Sequence, residues 1–401
     1  MKKILFKAPI LTQSGYGVHS RQVAKSLIDL YGDNVAFHPV NWGTTGWILK
    51  NNNDLNFIEH IIDNTDLELK NKYDISLQLL LPDEFNTSHG KVNIGITAGV
   101  ETDKCNPAWV EKINEMNELV VPSEFTKQTF INSGNVQKNI EVIPEETFVT
   151  DKLLNSYEQN LKNKSNLSFE KKHNIKTNFN FLLFGQITGN NPYNDRKNIF
   201  LTIKELCEIF STDKEVGIII KTNSARNTEI DKEHSLKIFK QIIGEVRKTE
   251  FPKIYLLHGN LDNNDLMELY TARSVKAMIN LSRGEGYGLP LIEMASCDKP
   301  VICTNWSGQL EYLKNGKFIG INYSLQDVHE TRIDNRIFIK GTKWAEFDRL
   351  HLKRKLLDFR SRSNNMSLAN KNAEELGKIL RDNYNHRNIT EKYKNLIGKY
   401  L

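Results

Sequence analysis

Short apolar runs recur along this chain, each followed by a stretch with helical patterning, and the recurrence comes in two series. In the first, Lys3–Ala8, Val35–Val40, Ile75–Leu80, Val92–Thr97, Leu119–Val121 and Ile140–Ile143 read as strands, with helices expected over Ser20–Leu30, Trp109–Met116 and Glu124–Ser133. In the second, Phe179–Phe184, Gly217–Lys221, Lys253–His258, Lys276–Leu281 and Pro300–Thr304 alternate with helices such as Asn198–Phe210, His234–Thr249 and Asn263–Thr271. Strands that are apolar throughout are buried on both faces, so each series predicts a parallel sheet covered by helices. Between them lies Asp151–Thr177, rich in Lys, Asn and Glu, without a strand pattern and expected to hold a helix. The 401 residues exceed one ordinary core. The expected fold class is α/β, with two Rossmann-like domains facing a cleft, residues 1–175 and 176–384. The tail from Trp344 reads as helical and charged, and its last helix, about Ile389–Tyr400 within 385–401, is expected to cross back onto the first domain.

Composition narrows the class. The apolar fraction of 39% and charged fraction of 26% suit a soluble globular protein. No run approaches the roughly 18 uninterrupted apolar residues of a membrane span, and Met1-Lys2-Lys3-Ile4-Leu5-Phe6-Lys7 turns polar too soon for a signal peptide. Cys105, Cys207, Cys297 and Cys303 lack C-x-x-C spacing and read as buried free thiols of a reducing compartment. A cytoplasmic location is expected. The net charge of +5 is spread among interleaved Lys, Arg, Asp and Glu, which permits a polyanionic partner without requiring one.

The chemistry concentrates in Gly284-Glu285-Gly286-Tyr287-Gly288-Leu289-Pro290-Leu291-Ile292-Glu293. A buried strand leads through Ser282-Arg283 into three glycines that let backbone approach a ligand, and Pro290 suits a first helical turn. Such a helix start offers N–H groups and the positive dipole end to a phosphate. A plain strand-turn-helix connection with two incidental glutamates would also satisfy the pattern. Upstream, Phe181-Leu182-Leu183-Phe184-Gly185 ends a strand, and its loop runs into Arg196-Lys197-Asn198 at another helix start, a pyrophosphate site or an exposed basic helix start. Lys221 and His258 close two further strands. His258 is a ligand contact or a satisfied strand-end histidine. Asp262-Asn263-Asn264-Asp265 reads as a helix cap rather than a metal loop.

In order and spacing, residues 178 to 320 resemble the nucleotide-sugar domain of retaining family 4 glycosyltransferases of the GT-B fold, whose mark is E-x7-E, here Glu285 and Glu293. The likeness extends through Pro300-Val301-Ile302 and Asn305-Trp306-Ser307-Gly308-Gln309-Leu310-Glu311. It implies transfer of a sugar from a nucleotide-diphosphate donor to an acceptor hydroxyl with retention. Glu293 would bond the ribose hydroxyls, Glu285 would face the donor sugar, and N–H groups near Gly286, Tyr287 and Gly288 would contact sugar and phosphate. Lys197 matches the family's phosphate lysine. Gly185-Gln186 departs from the Gly-Arg of many relatives, and Arg196 is expected to supply that charge. Lys197, Arg196 and Glu285 are thus the catalytic candidates, with Gly15, Gly17, Lys221 and His258 added on the donor side.

The first domain resembles the family more weakly. Ser14-Gly15-Tyr16-Gly17-Val18-His19 matches its Gly-rich loop, although an ordinary tight turn fits too, and Val121-Pro122-Ser123-Glu124-Phe125-Thr126 matches its V-P-S-x-F segment. His19, Glu101 and Asp103 are candidates for sugar or acceptor contacts. No residue is assigned to a metal, and no cofactor is expected beyond the donor, with a UDP-sugar as the first expectation. The expected acceptor is a surface glycan or a hydroxymethylated base in duplex phage DNA. The Asn- and Lys-rich composition and Gln13–Gln22 resemble glycosyltransferases of tailed phages, which would place the protein in the host cytoplasm. Lys353-Arg354-Lys355, Arg360 and Arg362 would then serve DNA, or else form a solvated helix face. The rival readings are a UDP-sugar epimerase or hydrolase of the same fold and a non-catalytic nucleotide-sugar-binding protein.

Overall fold

The structure, a computed structural model, describes residues 3–48, 55–69, 73–162, 169–362 and 365–401. Part of the expected interdomain segment, residues 163–168, lies outside the described residues. The chain forms two compact units, Met1–Glu146 with Asp334–Thr342 and His386–Leu401, and Thr147–Ile333 with Lys343–Asn385.

The first unit is built on six parallel strands, β1 (Ile4–Ala8), β2 (Val35–Pro39), β3 (Tyr73–Leu79), β4 (Gly90–Ile96), β5 (Glu118–Val121) and β6 (Ile140–Val142). Their order is β2-β1-β3-β4-β5-β6, with Ile4 of β1 in register with Val35 and Ile75. Its helices are α1 (Gly15–Tyr31), α2 (Leu55–Asp63), α3 (Pro107–Glu115) and α4 (Glu124–Ser133). Ser14, Asn106 and Ser123 cap α1, α3 and α4 through side-chain oxygens that accept backbone N–H bonds. Ile4, Phe6 and Ala8 are buried with Val23, Ala24 and Leu27 of α1 and with Ile389, Tyr393 and Leu396 of the C-terminal helix His386–Gly398. That last helix is therefore part of the first unit's core. The nonapeptide Asp334–Thr342 also belongs here, with Phe338 buried and Arg336 paired to Asp83 and Glu84.

The second unit begins at Thr147, earlier than the expected 176. The reason is packing: Leu154 of α5 (Asp151–Lys162) and Phe169 of α6 (Phe169–Lys172) enter its core together with the flanking Val149 and Ile175. Its sheet has β7 (Phe179–Phe184), β8 (Val216–Thr222), β9 (Lys253–His258), β10 (Val275–Asn280), β11 (Val301–Thr304) and β12 (Ile319–Ile321), ordered β12-β11-β10-β7-β8-β9. Counted from its own first strand, this is the 3-2-1-4-5-6 order of the doubly wound dinucleotide fold, and the order reverses between β7 and β10. Alternate residues feed two cores. Leu182, Ile219 and Met278 pack with α9 (Asn263–Thr271) and α10 (Leu289–Ser296), while Phe181, Leu183, Ile218 and Ile220 pack with α7 (Ile199–Ile209) and α8 (Glu229–Val246). Asp262 caps α9, its carboxylate accepting from the Asp265 N–H at 2.9 Å.

Three readings of the sequence need correction. Helix α1 starts at Gly15 rather than Ser20, because Ser14 caps it and takes Gly15 and Gly17 into the first turn. Trp344 lies in a strand: β13 (Tyr323–Asp327) and β14 (Lys343–Phe347) pair antiparallel, and the helical tail begins only after Asp348, with α12 (Arg349–Ser361) and α13 (Ser367–Asn383), α11 (Leu310–Leu313) being a short turn before it. Helix α2 lies where no helix is expected, because it is only nine residues long and adjoins an Asn-rich stretch. All four cysteines are buried and free. Among the described residues no helix is long and apolar enough to cross a membrane.

Candidate active site

Ligands of doubly wound sheets bind beyond the strand carboxyl ends, where the strand order reverses. In the second unit that point lies between the loops following β7 and β10, which carry Arg196-Lys197 and Gly284–Gly288. The β7 loop is shaped by Asp195, whose carboxylate accepts from the Thr188 N–H at 2.9 Å, the Thr188 hydroxyl at 2.8 Å and the Ile199 N–H at 2.7 Å. Asn198 takes the left-handed conformation, φ 56°, so α7 starts directly after the two cations. Arg283, 2% exposed, donates to the Pro192 and Asp195 carbonyls and pairs with Glu346, which ties this loop to β14.

The two loops meet at Glu285. Lys197 Nζ lies 2.7 Å from both its oxygens, and Arg196 Nη1 donates to Gly284 O at 2.7 Å and to Glu285 Oε2 at 3.3 Å. Burial alone would raise the Glu285 pKa, but Lys197, Arg196 and a hydrogen bond from Ser282 bring it down to about 2, so it is a fixed anion. A third loop supports it from below. The Glu285 N–H donates to Ser307 Oγ at 3.0 Å, and the Gly308 N–H to the Glu285 carbonyl at 2.8 Å. A Cβ on Gly308 would lie 2.0 Å from Gly286 O, so only glycine permits this backbone-on-backbone contact. Gly288, at φ +91°, then turns the chain into α10, and the Tyr312 hydroxyl donates to its carbonyl at 2.7 Å.

Glu293 has the opposite environment. It is on α10, 8% exposed, and accepts from the buried Tyr270 hydroxyl at 2.8 Å. Burial raises its pKa from 4.5 to about 7, opposed only by the bond from Tyr270. One acid is thus clamped and ionised while the other, eight residues on, titrates near neutrality. Lys221 is buried at the end of β8 with Nζ over the Phe184 ring, 5.1 Å from its centroid, and bonded to the Asn223 side chain; burial lowers its pKa to about 8. His258 is satisfied structurally, its Nε2 lying 2.9 Å from Ser224 Oγ.

The first-unit candidates lie at the carboxyl end of their own sheet. Gly15 and Gly17 open α1 rather than forming a free loop, and they differ. A Cβ on Gly17 would meet Thr12 O at 2.0 Å, whereas nothing lies within 4 Å at Gly15. Tyr16, stacked on Trp42 with ring centroids 3.9 Å apart, bonds Thr97 Oγ1 and the Ala98 N–H. His19 is 3% exposed, its Nδ1 3.8 Å from Glu145, and burial lowers its pKa to about 3, which makes it a neutral core histidine. Glu101 lies close enough to raise the Tyr16 pKa, and Asp103 is half-buried two residues on. Of the basic residues proposed for DNA, Arg360 is committed to Asp213 and Arg362 to Asp358.

Sequence reasoning missed Tyr270, Arg283 and the roles of Ser282 and Ser307. Tyr270 reads as one more apolar residue on the inner face of α9, and Ser307 lay in a recognised loop without a role. Among the described residues no group of three or more His, Cys, Asp or Glu could hold a metal.

Residues 237–335 match the family model of "Glycosyl transferases group 1", a span that includes Glu285 and Glu293 but stops short of Lys197. No curated protein matches the chain. Solved structures similar to it include Anabaena HepE in complex with UDP-glucose, 12% identical with a TM-score of 0.59 over 100% of both chains. The sucrose-phosphate synthase of Thermosynechococcus elongatus is 11% identical, with a TM-score of 0.62 over 100% of this chain and 99% of its own. The E. coli trehalose-6-phosphate protein bound with UDP-2-fluoro glucose is 10% identical, with a TM-score of 0.59 over 98% of each. The chain therefore has the GT-B fold, with two Rossmann-like units, and its residues 237–335 carry the group 1 glycosyl transferase match.

Proposed function

We propose that this protein is a retaining glycosyltransferase that binds a nucleoside-diphosphate sugar at the β7/β10 switch point of its second unit. The observation that carries the reading is the contact of Lys197 and Arg196 with Glu285 at that point, beside the start of α10. Two cations beside the start of α10 place donors and positive charge where a diphosphate would lie, and the α10 dipole adds to them. In the reaction the bond from the anomeric carbon to the β-phosphate oxygen breaks while a bond forms to the acceptor oxygen on the same face. The acceptor's proton passes to the departing phosphate. Lys197 and Arg196 stabilise the charge that grows on that phosphate, Glu285 orients Lys197 and faces the sugar, and Glu293 accepts from the ribose. Two similar structures hold UDP-glucose or its 2-fluoro analogue, which supports a UDP-sugar as the donor. The acceptor is a hydroxyl of a glycan or of a modified base in DNA; of the five basic residues considered for DNA, Arg360 pairs with Asp213 and Arg362 with Asp358.

A thermal-shift panel of UDP-, GDP-, ADP- and TDP-sugars tests the donor half, because a bound ligand raises the melting temperature. Lys197→Ala should lower turnover about a hundredfold or more. Turnover at the wild-type level would refute the phosphate role. Release of free nucleoside diphosphate or an isomerised donor without any acceptor would point instead to hydrolysis or epimerisation. A shift of duplex DNA at low salt would favour DNA as the acceptor.

A further inference from the structure

Tyr270 and Glu293 form a buried hydrogen-bonded pair between α9 and α10. Tyr270 is fully buried near the end of α9, and Glu293 comes from α10. Tyr270 belongs to a buried apolar cluster that also contains Met267, Leu291 and Met294. Within the described residues, the hydrogen bond to Glu293 Oε2 at 2.8 Å is the one the Tyr270 hydroxyl makes. A buried phenol without its partner is costly, so the pair holds together as a unit. Among the described residues no cation offsets the cost of a charge on Glu293: burial raises its pKa and the Tyr270 bond opposes the rise. Among the described residues the titratable groups facing the pair are the two themselves and the Cys297 thiol at the end of α10, whose sulfur lies 3.7 Å from Met267 Sδ.

We infer that Tyr270 is the positioning residue for recognition of the donor's ribose: its hydroxyl holds Oε2 of Glu293, leaving Oε1 as the oxygen that accepts from the ribose hydroxyls. This rests on the reading of Glu293 as the ribose contact. A carboxylate in an apolar wall needs donors on both oxygens to stay ionised. Tyr270 supplies one, and the ligand supplies the other. Nucleotide binding is then linked to ionisation of Glu293, so affinity falls as the pH drops through about 7, where Glu293 takes up a proton. Removing the Tyr270 hydroxyl moves that fall to higher pH, because the ionised form loses its donor.

Calorimetric titration with UDP, 2′-deoxy-UDP and 3′-deoxy-UDP from pH 6 to 9 tests this on wild type, Tyr270→Phe, Glu293→Gln and the double variant. Tyr270→Phe keeps the ring volume, and its melting curve checks that it folds. UDP should bind it about tenfold or more weakly at pH 7, with the deficit narrowing by pH 9 and discrimination against the deoxy analogues reduced. The double variant should bind no more weakly than Glu293→Gln alone, since the two groups act through each other. A Tyr270→Phe protein with wild-type affinity and pH dependence, or additive effects in the double variant, overturns the inference while leaving Glu293 in its role. Wild-type UDP affinity in Glu293→Gln overturns the ribose reading itself, and the inference with it.

Discussion

Replacing Glu293 by Gln should make the unliganded protein more stable, and increasingly so as the pH rises. The rise of the Glu293 pKa from 4.5 to about 7 corresponds to roughly 3 kcal/mol at about 1.4 kcal/mol per pH unit. The sign follows from the direction: an acid whose pKa is raised by folding binds its proton more tightly in the folded state. Its favourable contribution is complete below 4.5, the unfolded value, and is lost as the pH climbs through about 7. Above pH 8 the native protein therefore bears nearly the full cost of an ionised carboxylate in an apolar wall, and Gln, which stays neutral while still accepting from Tyr270, does not. Near pH 4.5 the two proteins should melt together. At pH 8.5 the variant should melt on the order of 6–12 °C higher, for a unit of this size. Calorimetric melts at pH 4.5, 7 and 8.5 without nucleotide measure this. A difference that fails to grow with pH, or a variant less stable at pH 8.5, would refute the argument that burial sets this acid. The same variant should lose nucleotide affinity, the usual exchange of function for stability at a binding site.

Glu285→Gln should act in the reverse direction. Its lowered pKa means it stabilises the fold above 4.5, and that contribution is lost as the pH falls through about 2, so the variant should be less stable at pH 7 by on the order of 3 kcal/mol and melt more like wild type in strong acid; equal stability at pH 7 would show that the Lys197 contact is idle. Gly308→Ala should destabilise the second unit and abolish nucleotide binding, since its Cβ would collide with the backbone at Gly286, whereas Gly15→Ala, with open space around it, should change the melting temperature by no more than about 2 °C. Circular dichroism melts of the two glycine variants side by side decide the matter.

The sheets were legible because their strands are apolar on both faces, a pattern that few other elements share. Phe181, Leu182 and Leu183 point alternately into different cores, so the run has to be apolar without a break. The pieces that escaped notice obey weaker rules. β13 is exposed along its whole length, and no burial pattern marks Tyr323–Asp327 as a strand until Lys343–Phe347 pairs with it from well down the chain. The start of α1 was hidden for a different reason. Gly15 and Gly17 signal a turn in isolation, and only the hydroxyl of Ser14 and the close approach of Thr12 to Gly17 show that the glycines serve a helix. Long-range pairing and tight backbone contact are properties of the folded chain, and local composition does not encode them.

The candidate site shows the same division in its two glutamates. Their identities and spacing could be read directly, and so could the cations of Arg196-Lys197, because residues of these types cluster where strands end and helices begin. Their opposite ionisation could not. Both are nearly buried, so burial pushes both toward neutrality, and what separates them is which neighbour the fold delivers. Glu285 sits in the loop after β10, beside β7 in the sheet although β7 is far away in sequence, and so meets the cations of the β7 loop. Glu293, two turns later, faces α9 and meets a phenol. The strand order that brings β7 beside β10 is thus what turns two similar acids into one permanent anion and one that titrates near neutral pH. If that ordering is the cause, then Lys197→Met should raise the Glu285 pKa toward the ordinary carboxylate range while leaving that of Glu293 unmoved, a difference that carboxyl-carbon NMR titration of the two side chains would resolve. Movement of both together would mean that they titrate as one coupled pair and that the separation argued from their neighbours is false.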